Sequence, residues 1–316
     1  MPRSLHVVAE PIEHAEGVPE DWADLRASFL LSLRAARRSP RTIAGYAGSC
    51  DYFARFLVQR SPGRLVEEAT RDDLRAFLVS LEEKGNAPNT VATRHRGLRA
   101  LFKFLTAEEV IDTDPMRAIP TPSITEERIP PSLTREQIAA MVKACPKTTF
   151  TGSRDRALIL LISSSGIRAS EAIGLTEADL MLDQETPFVV VRGKGDRVRE
   201  AACSHEAALA IRAYLRARRK QPAAHRRELW LSRMGEPLTT SGLRQIVKAA
   251  AKRAGLGIDV HTHALRHTAT HDMLERGMAE HNVATQLGHK GLKQLARYGR
   301  AKATERSRSD FFRTQE

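Results

Sequence analysis

Cysteine is scarce in this chain, which has only three among 316 residues: Cys50, Cys145 and Cys203. The number is odd, the three lie far apart, and no CxxC or Cys/His spacing typical of a metal site occurs. This pattern argues against a disulfide framework or a cysteine-based metal site. We therefore expect reduced thiols and a cytoplasmic protein.

Long apolar segments are also missing. The longest clean apolar run covers residues 157–162, which is far too short to cross a bilayer. The N-terminus carries Glu10, Glu13 and Glu16 and has no apolar core of a signal peptide. The sequence thus predicts a protein that is made and used inside the cell, without a membrane partner.

Acidic residues are in the minority, with 38 Asp and Glu against 50 Lys and Arg, and the formal net charge is +12. Such an excess favours a polyanionic partner, because each cation that neutralises a phosphate releases a counterion. An anionic membrane surface is the alternative, but no isolated basic amphipathic helix supports it. The length allows two domains.

Hydrophobic periodicity predicts four helices in the first part of the chain, which indicate a helical domain over residues 18–117. Ser39-Pro40-Arg41-Thr42 is typical of a helix start, with proline just inside the helix. Residues 1–17 show no clear periodicity, and we expect a flexible N-terminus. Four prolines between residues 120 and 131 predict a stiff linker over 118–131.

The remaining segment, 132–316, is predicted to be a second, mainly helical domain with a C-terminal tail. Periodicity places helices at about 134–145, 153–163, 169–175, 206–220, 239–254, 263–276 and 282–287. Residues 188–191 and 197–201 flank Gly193-Lys194-Gly195-Asp196, which is typical of a β-hairpin. The predicted fold class is therefore mainly α with a small β-sheet, the second domain being α+β.

Several residues of the second domain are suited to phosphate chemistry. His263 and Arg266 are three apart on a predicted helix and project from one face. A guanidinium presents a rigid fork of donors to two phosphate oxygens, and an imidazole moves protons near neutral pH. Taken alone, His-x-x-Arg is more often a half-buried histidine and a surface arginine, since short motifs recur by chance.

The other candidates are equally ambiguous one by one. Arg168 and Glu171 fit an ordinary ion pair within a helix. Lys194 fits a solvated turn lysine, and His289 fits a polar residue just after a helix end. Tyr298 fits an ordinary core or surface aromatic residue, because tyrosine is far more often one of these than a nucleophile. Their joint order and spacing are far more specific than any single residue.

In combination these motifs resemble the tyrosine site-specific recombinases, which include phage integrases and Xer-type resolvases. The resemblance covers residues 19–300. It rests on the 166–175 segment, Lys194, His263-Ala264-Leu265-Arg266-His267-Thr268, Leu287-Gly288-His289, Tyr298 and Ser39-Pro40-x-Thr42-x-x-x-Tyr46. It implies an N-terminal four-helix core-binding (SAM-like) domain and an α+β tyrosine-recombinase catalytic domain.

The resemblance also implies a mechanism for breaking and rejoining DNA strands. Tyr298 would attack the scissile phosphate and form a 3′-phosphotyrosyl link. Arg168 and Arg266 would hold the non-bridging oxygens, and Lys194 would protonate the departing 5′ oxygen. The covalent link conserves the phosphodiester energy, so no cofactor is expected. The arginines and the lysine would take the place of metal ions, so no metal site is expected either.

Three further residues have implied roles at the same phosphate. His263 would be the general base or acid on the tyrosine side. His289 would donate a hydrogen bond to the phosphate. Glu171 would orient the basic residues from behind.

The implied partner is double-stranded DNA at core sites, with a homotetramer in the synaptic complex and a monomer or dimer when free. Accessory DNA-bending or directionality factors are further candidate partners. The residues with which we expect the chain to bind DNA are Arg41, Thr42, Arg94, Arg96, Arg99, Lys103, Arg244 and Lys248. The alternative for any such charge is a solvated helix face.

The biological role is less constrained. Between His289 and Tyr298 family members often carry small or hydroxylic residues, whereas the segment here is Lys290-Gly291-Leu292-Lys293-Gln294-Leu295-Ala296-Arg297. This favours a recombinase of a phage or other mobile element, acting in integration or excision at the nucleoid. The alternatives are an Xer-type resolvase of chromosome or plasmid dimers, a type IB topoisomerase with the same chemistry, and a non-catalytic DNA-binding protein.

Overall fold

The computed structural model describes residues 21–123, 132–193 and 197–289. The chain forms two compact units, residues 1–127 and 128–316. Two predicted catalytic residues, Lys194 and Tyr298, lie outside the described residues, as do the predicted flexible N-terminus and residues 124–131 of the predicted linker. None of the helices in the described ranges is both long and apolar enough to cross a membrane.

The first unit contains four described helices: α1 (Asp21–Ala35), α2 (Pro40–Arg60), α3 (Arg71–Glu83) and α4 (Pro88–Ala107). The predicted start of α2 is present, since the Ser39 side chain accepts a hydrogen bond from the Thr42 backbone N–H and Pro40 follows the cap. Helix α3 begins with a reciprocal capping box between Thr70 and Asp73.

The core of the first unit is aromatic. Phe53 contacts Phe77 and Phe102 edge to face, with ring centroids 5.3 and 6.2 Å apart. Ile119 belongs to this core, and its carbonyl accepts a hydrogen bond from Nε2 of the buried His95 at 3.2 Å. The packing of the first unit therefore includes part of the segment that the sequence assigned to the linker.

The second unit is built around one buried helix. Its described helices are α5 (Arg135–Lys143), α6 (Phe150–Ser165), α7 (Ala169–Ile173), α8 (His205–Arg218), α9 (Thr240–Arg253), α10 (Thr262–Glu275) and α11 (Glu280–Leu287). The apolar run 157–162 lies in α6 and is buried throughout. The apolar segment is thus a core helix, around which the site-bearing elements pack.

A small antiparallel sheet completes the second unit, with strand order β1 (Leu180–Met181), β2 (Phe188–Arg192), β3 (Val198–Ala202). The predicted hairpin is confirmed by the β2–β3 pairing, in which Val191 is opposite Arg199. Strand β1 was not predicted. It has only two residues, too few for an alternating pattern to show.

Candidate active site

Two glycine turns bring the site together. Gly166 ends α6 with a φ of 68°, and Gly288 ends α11 with a φ of 64°. Both lie in the left-handed region that favours glycine, and they end the two helices without a Cβ penalty. Arg168 follows the first turn and His289 follows the second, so the two helix ends present both side chains to one place.

Arg266 on α10 is locked between these helix ends and is 6% exposed. It donates to the carbonyls of Gly166 at 2.5 Å and Leu287 at 2.9 Å, and to Nε2 of His289 at 2.8 Å. Burial, followed by the charge of Arg168, lowers the pKa of Arg266 to about 10. The guanidinium therefore stays protonated at neutral pH and is held in a fixed orientation.

Glu171 on α7 lies beneath the arginines, with its side chain 3% exposed. Its Oε1 accepts from Nη1 of Arg168 at 2.8 Å and Nη1 of Arg199 at 3.1 Å. Its Oε2 accepts from the Arg168 backbone N–H at 2.8 Å and Nη2 of Arg199 at 2.9 Å. This is more than the ordinary intrahelical pair, because a second arginine completes a buried network.

The carboxyl group of Glu171 is strongly biased towards its ionised form. Burial on its own would raise the pKa of Glu171, but the hydrogen bonds from Arg199 and Arg168 outweigh burial and lower the pKa to about 2. The group is therefore an anion at any working pH. Both arginines gain an oriented, charged acceptor behind the site.

Arg199 on β3 was not among the residues predicted from sequence. Besides Glu171, it donates from Nε to the carbonyl of Gln286 at 3.0 Å. Both partners are far away in the chain, so no local motif links them to position 199. One signal was available: Arg199 has the same strand face as the buried Ala201, and a charged residue on a core-facing position indicates a buried partner.

His289 is held as a neutral ring. Because a guanidinium has only donors, the contact with Arg266 makes Nε2 of His289 an acceptor and places the hydrogen on Nδ1. That Nδ1 is buried and has no hydrogen-bond partner among the described residues. Burial first, then the charges of Arg266 and Arg168, lower the pKa of His289 to about 4.

His263 lies on α10 one turn before Arg266. Its ring packs edge to face against His267, with centroids 4.5 Å apart. Burial, then the charges of Arg266 and His261, lower the pKa of His263 below its ordinary value. At neutral pH the ring is thus an uncharged base, which suits the predicted role in accepting a proton.

The residues of the first unit that are predicted to bind DNA differ in their exposure and in the contacts that their side chains make. Arg99 and Lys103 on α4 are exposed. Arg96 is exposed but folds onto its own helix, donating to the Ala92 carbonyl and the Thr93 hydroxyl. Arg94 lies over the Tyr52 ring at 5.1 Å.

At the start of α2, Arg41 is exposed, while the Thr42 hydroxyl is engaged with Ser39. Arg244 and Lys248 on α9 are exposed, and Lys248 has an ion pair with Asp259 at 3.2 Å. Exposed pairs of this kind contribute little and exchange easily for another anion. DNA binding by all of these residues stays a prediction.

Comparison with known proteins places the whole arrangement in a family. The model of the phage integrase family matches residues 131–305, which include every described residue of the site. The model of the phage integrase N-terminal SAM-like domain matches residues 27–109. The chain belongs to the phage integrase family. The predicted fold class, a SAM-like helical domain followed by a tyrosine-recombinase catalytic domain, is confirmed, and so is the prediction of a recombinase enzyme.

Relatives of this integrase-family chain include the tyrosine recombinase XerC of Bacillus subtilis, 32% identical over 265 residues that cover 82% of this chain and 86% of the relative. XerC of Roseiflexus castenholzii is 32% identical over 270 residues, 83% and 84% of the two chains.

Solved structures share the fold at lower identity. XerH site-specific recombinase bound to a palindromic difH substrate matches with a TM-score of 0.73 and 20% identity over 91% of this chain and 83% of that one. A lambda integrase dimer bound to a COC' core site matches at 0.67 and 16%, over 86% and 96%.

Proposed function

We propose that this chain is a site-specific DNA recombinase that breaks and rejoins strands through a 3′-phosphotyrosyl intermediate. The observation that carries the proposal is the convergence of Arg168, Arg266 and His289 on one place behind which Glu171 is buried and ionised. Such an array of fixed donors with little compensating negative charge is suited to an oxyanion.

Arg168 and Arg266, the two arginines predicted to hold the phosphate oxygens, differ in how exposed their side chains are. Arg266 is almost fully buried and is held by backbone carbonyls, so it provides a donor that does not move when DNA arrives. The Arg168 side chain is 41% exposed and can meet the phosphate from the open side. Together they would hold the non-bridging oxygens and stabilise the charge of the pentacoordinate transition state.

The histidines fit proton transfer and hydrogen bonding at the same phosphate. When a phosphate takes the Arg266 donor, Nε2 of His289 no longer has to accept from Arg266. The neutral ring can then adopt its other tautomer, with the hydrogen on Nε2 instead of Nδ1, and donate to the phosphate, which is the predicted role. His263, uncharged at neutral pH, would accept the proton of the attacking tyrosine hydroxyl. We assign that hydroxyl to Tyr298 and the protonation of the leaving 5′ oxygen to Lys194, from their positions in the sequence.

Duplex DNA is the proposed substrate, and the solved structures that share the fold include a transposon integrase in complex with transposon right end DNA. We propose that it is contacted through the exposed cations of α2, α4 and α9 and cut by a homotetramer that assembles on two core sites from monomers or dimers. The chain would act at the nucleoid, in the cytoplasm, with accessory DNA-bending or directionality factors as further candidate partners. Phosphate contacts would position the protein, and base contacts would choose the site.

For the biological role we retain two candidates. The segment between His289 and Tyr298 favours integration or excision of a phage or mobile element. The 32% identity to XerC recombinases over most of the chain favours the resolution of chromosome or plasmid dimers. The identity of the target site separates these two candidates.

The deciding experiment captures covalent protein–DNA adducts and sequences the trapped ends. The wild type is compared with Tyr298→Phe and with Tyr52→Phe, a matched loss of an exposed phenol hydroxyl in the first unit. We expect adducts at a few sites with the wild type and Tyr52→Phe, and none with Tyr298→Phe, whose DNA affinity should be unchanged.

Each other outcome contradicts part of the proposal. Adducts with Tyr298→Phe would identify another nucleophile, and loss of DNA binding in that variant would make the tyrosine structural. Adducts scattered over many sequences would indicate a topoisomerase, and tight binding without adducts a non-catalytic protein. Trapped ends at the border of a mobile element, or at a single chromosomal site for dimer resolution, would choose between the two roles.

A further inference from the structure

The Glu171 carboxylate accepts hydrogen bonds from two arginine side chains that differ in their exposure. Arg168 reaches the carboxylate from the open side and has a side chain 41% exposed, whereas the Arg199 side chain is 14% exposed and approaches from β3. Nη1 and Nη2 of Arg199 bond the two carboxylate oxygens separately, at 3.1 and 2.9 Å. This two-point contact fixes both the position and the rotation of the carboxylate that orients Arg168.

Arg199 also contacts the C-terminal end of α11, which leads to His289. Its Nε donates to the Gln286 carbonyl at 3.0 Å. A Cβ built on Gly288 would lie 2.7 Å from Nη1 of Arg199, so the guanidinium packs directly against the glycine turn. One side chain is thus in contact with the support of Arg168 and with the turn that leads to His289.

The strand that carries Arg199 is itself tied to that helix end. The Gln286 side chain donates to the Ala202 carbonyl at 2.8 Å and accepts from the Ala202 backbone N–H at 3.1 Å. A third bond runs from Gln286 to the Ser165 carbonyl, at 3.1 Å. These bonds hold the strand that carries Arg199 against the end of α11. Such support favours the precise placement of a charged group.

The charge of the cluster also depends on Arg199. With both histidines uncharged, the described part of the cluster has three guanidinium groups and one carboxylate, which leaves two positive charges. A phosphodiester has one negative charge, and its pentacoordinate transition state has two. Lys194, which we assign to the same phosphate, would add a further positive charge. The net positive charge of the cluster therefore stabilises the transition state more than the ground state, because the negative charge is greater there.

We propose that Arg199 is a positioning residue for strand cleavage, which holds Glu171 and the α11 end in register so that Arg168 and His289 meet the phosphate together. This inference rests on the proposed function. Arg199 acts through its neighbours and through its charge, so its loss slows the chemical step more than it weakens DNA binding.

The test compares Arg199→Gln and Arg199→Lys with Arg192→Gln, which removes an exposed guanidinium from the neighbouring strand β2, where Arg192 pairs with Asp179. Single-turnover cleavage is measured at saturating enzyme, and DNA affinity is measured separately. We expect Arg199→Gln to slow cleavage about 10–100-fold with little change in affinity, as for other residues that orient a charged group from behind. Arg199→Lys restores part of the rate, and Arg192→Gln cleaves like the wild type.

Two readouts separate positioning from simple structural support. Loss of the Arg199 hydrogen bonds raises the pKa of Glu171 from its value of about 2, because burial is then opposed mainly by Arg168. On acidification, cleavage by Arg199→Gln should therefore be lost at a higher pH than cleavage by the wild type. In a double-mutant cycle with Glu171→Gln, the effect of Arg199→Gln is much smaller than in the wild type, because the two act as one unit.

A third readout does not depend on activity. Carboxyl NMR of the folded protein should show Glu171 ionised down to about pH 4 in the wild type and protonating at higher pH in Arg199→Gln. If Arg199→Gln does not fold, the Glu171 titration of Arg199→Lys is compared with that of the wild type instead. A wild type that cleaves no DNA would contradict the proposed function alone. An unchanged Glu171 titration, or cleavage equal to that of Arg192→Gln, would overturn the role of Arg199.

Discussion

At Glu171, two strong and opposite effects act on one carboxyl group. Removal from water favours the neutral acid, while hydrogen bonds from Arg199 and Arg168 favour the anion, and a pKa of about 2 means that the hydrogen bonds prevail. The negative charge fixes the direction in which the guanidinium groups of Arg168 and Arg199 point.

Glu171→Gln should therefore change how stability depends on pH. The folded pKa of Glu171, about 2, lies below its ordinary value of 4.5, so the anion stabilises the fold above about pH 4.5, and this stabilisation is lost as the pH falls towards 2. The shift corresponds to a stabilisation on the order of 3 kcal/mol. Urea unfolding should show the wild type more stable than Glu171→Gln at neutral pH, with the gap narrowing below about pH 4.5.

The control is Glu200→Gln, an exposed glutamate on the same strand as Arg199. We expect its unfolding free energy to follow the wild type at every pH. A constant gap between the wild type and Glu171→Gln down to strong acid would show that the carboxylate is not held as the hydrogen bonds indicate.

At the scale of elements, the ends of helices matter more to the site than their middles. The carbonyls of Gly166 and Leu287, at the ends of α6 and α11, accept from Arg266, and the Gly288 carbonyl accepts from Arg168 at 3.3 Å. Helix termini have carbonyls without partners inside the helix. Here arginines satisfy them, so the same bonds cap the helices and orient the clamp.

Gly288→Ala should damage catalysis as well as stability. A Cβ at this position requires a strained backbone and comes within 2.7 Å of Arg199, so we expect stability to fall by about 1–2 kcal/mol and cleavage to fall with it. Gly277→Ala is the matched control, because Gly277 has a φ of 81° and nothing lies within 4 Å of its built Cβ. It should lose stability alone. Equal cleavage by the two variants, measured at a temperature where both are folded, would contradict the crowding of Arg199.

Much of the element order follows from local sequence. The Ser39-Pro40 start of α2 and the glycine that ends α11 are short-range signals, and both are present in the structure. The start of α6 was predicted at residue 153, but the helix begins at Phe150, because Thr149 caps it with a hydrogen bond from the Gly152 N–H. Other threonines nearby could also cap a helix, so hydrophobic periodicity alone predicts the start of α6 only to within about one turn.

The site was predictable only in part, for a physical reason. Arg168, Arg266 and His289 were expected from their motifs, and the structure brings them together. Arg199 was missed because its partners lie 28 and 87 residues away in the chain. The meaning of a side chain whose contacts are all long-range is set by tertiary packing, which a short motif does not contain.

At the scale of the molecule, each unit closes its own hydrophobic core. The described site residues all belong to the second unit, whose core is centred on α6, while the cations of α2 and α4 belong to the first. Each core is large enough to stabilise an independent domain. The predicted chemistry and part of the predicted DNA contact are therefore assigned to separate parts of the chain.

A fragment of residues 128–316 should fold alone and bind DNA more weakly than the full chain. We expect a cooperative unfolding transition by circular dichroism, and a smaller slope of log affinity against log salt, by about one unit for each lost phosphate contact. Full-length Arg99→Gln with Lys103→Gln is the matched comparison and should move the slope in the same direction. A fragment with the slope of the full chain would assign all phosphate contacts to the second unit.

The register of the β2–β3 hairpin has a consequence for insertions and deletions. Arg199 faces the core because it pairs opposite Val191, and a slip of one residue would turn it to the other face of the sheet. A single residue gained or lost within β3 ahead of Arg199 would therefore remove the arginine from Glu171, even though every amino acid of the site was still encoded.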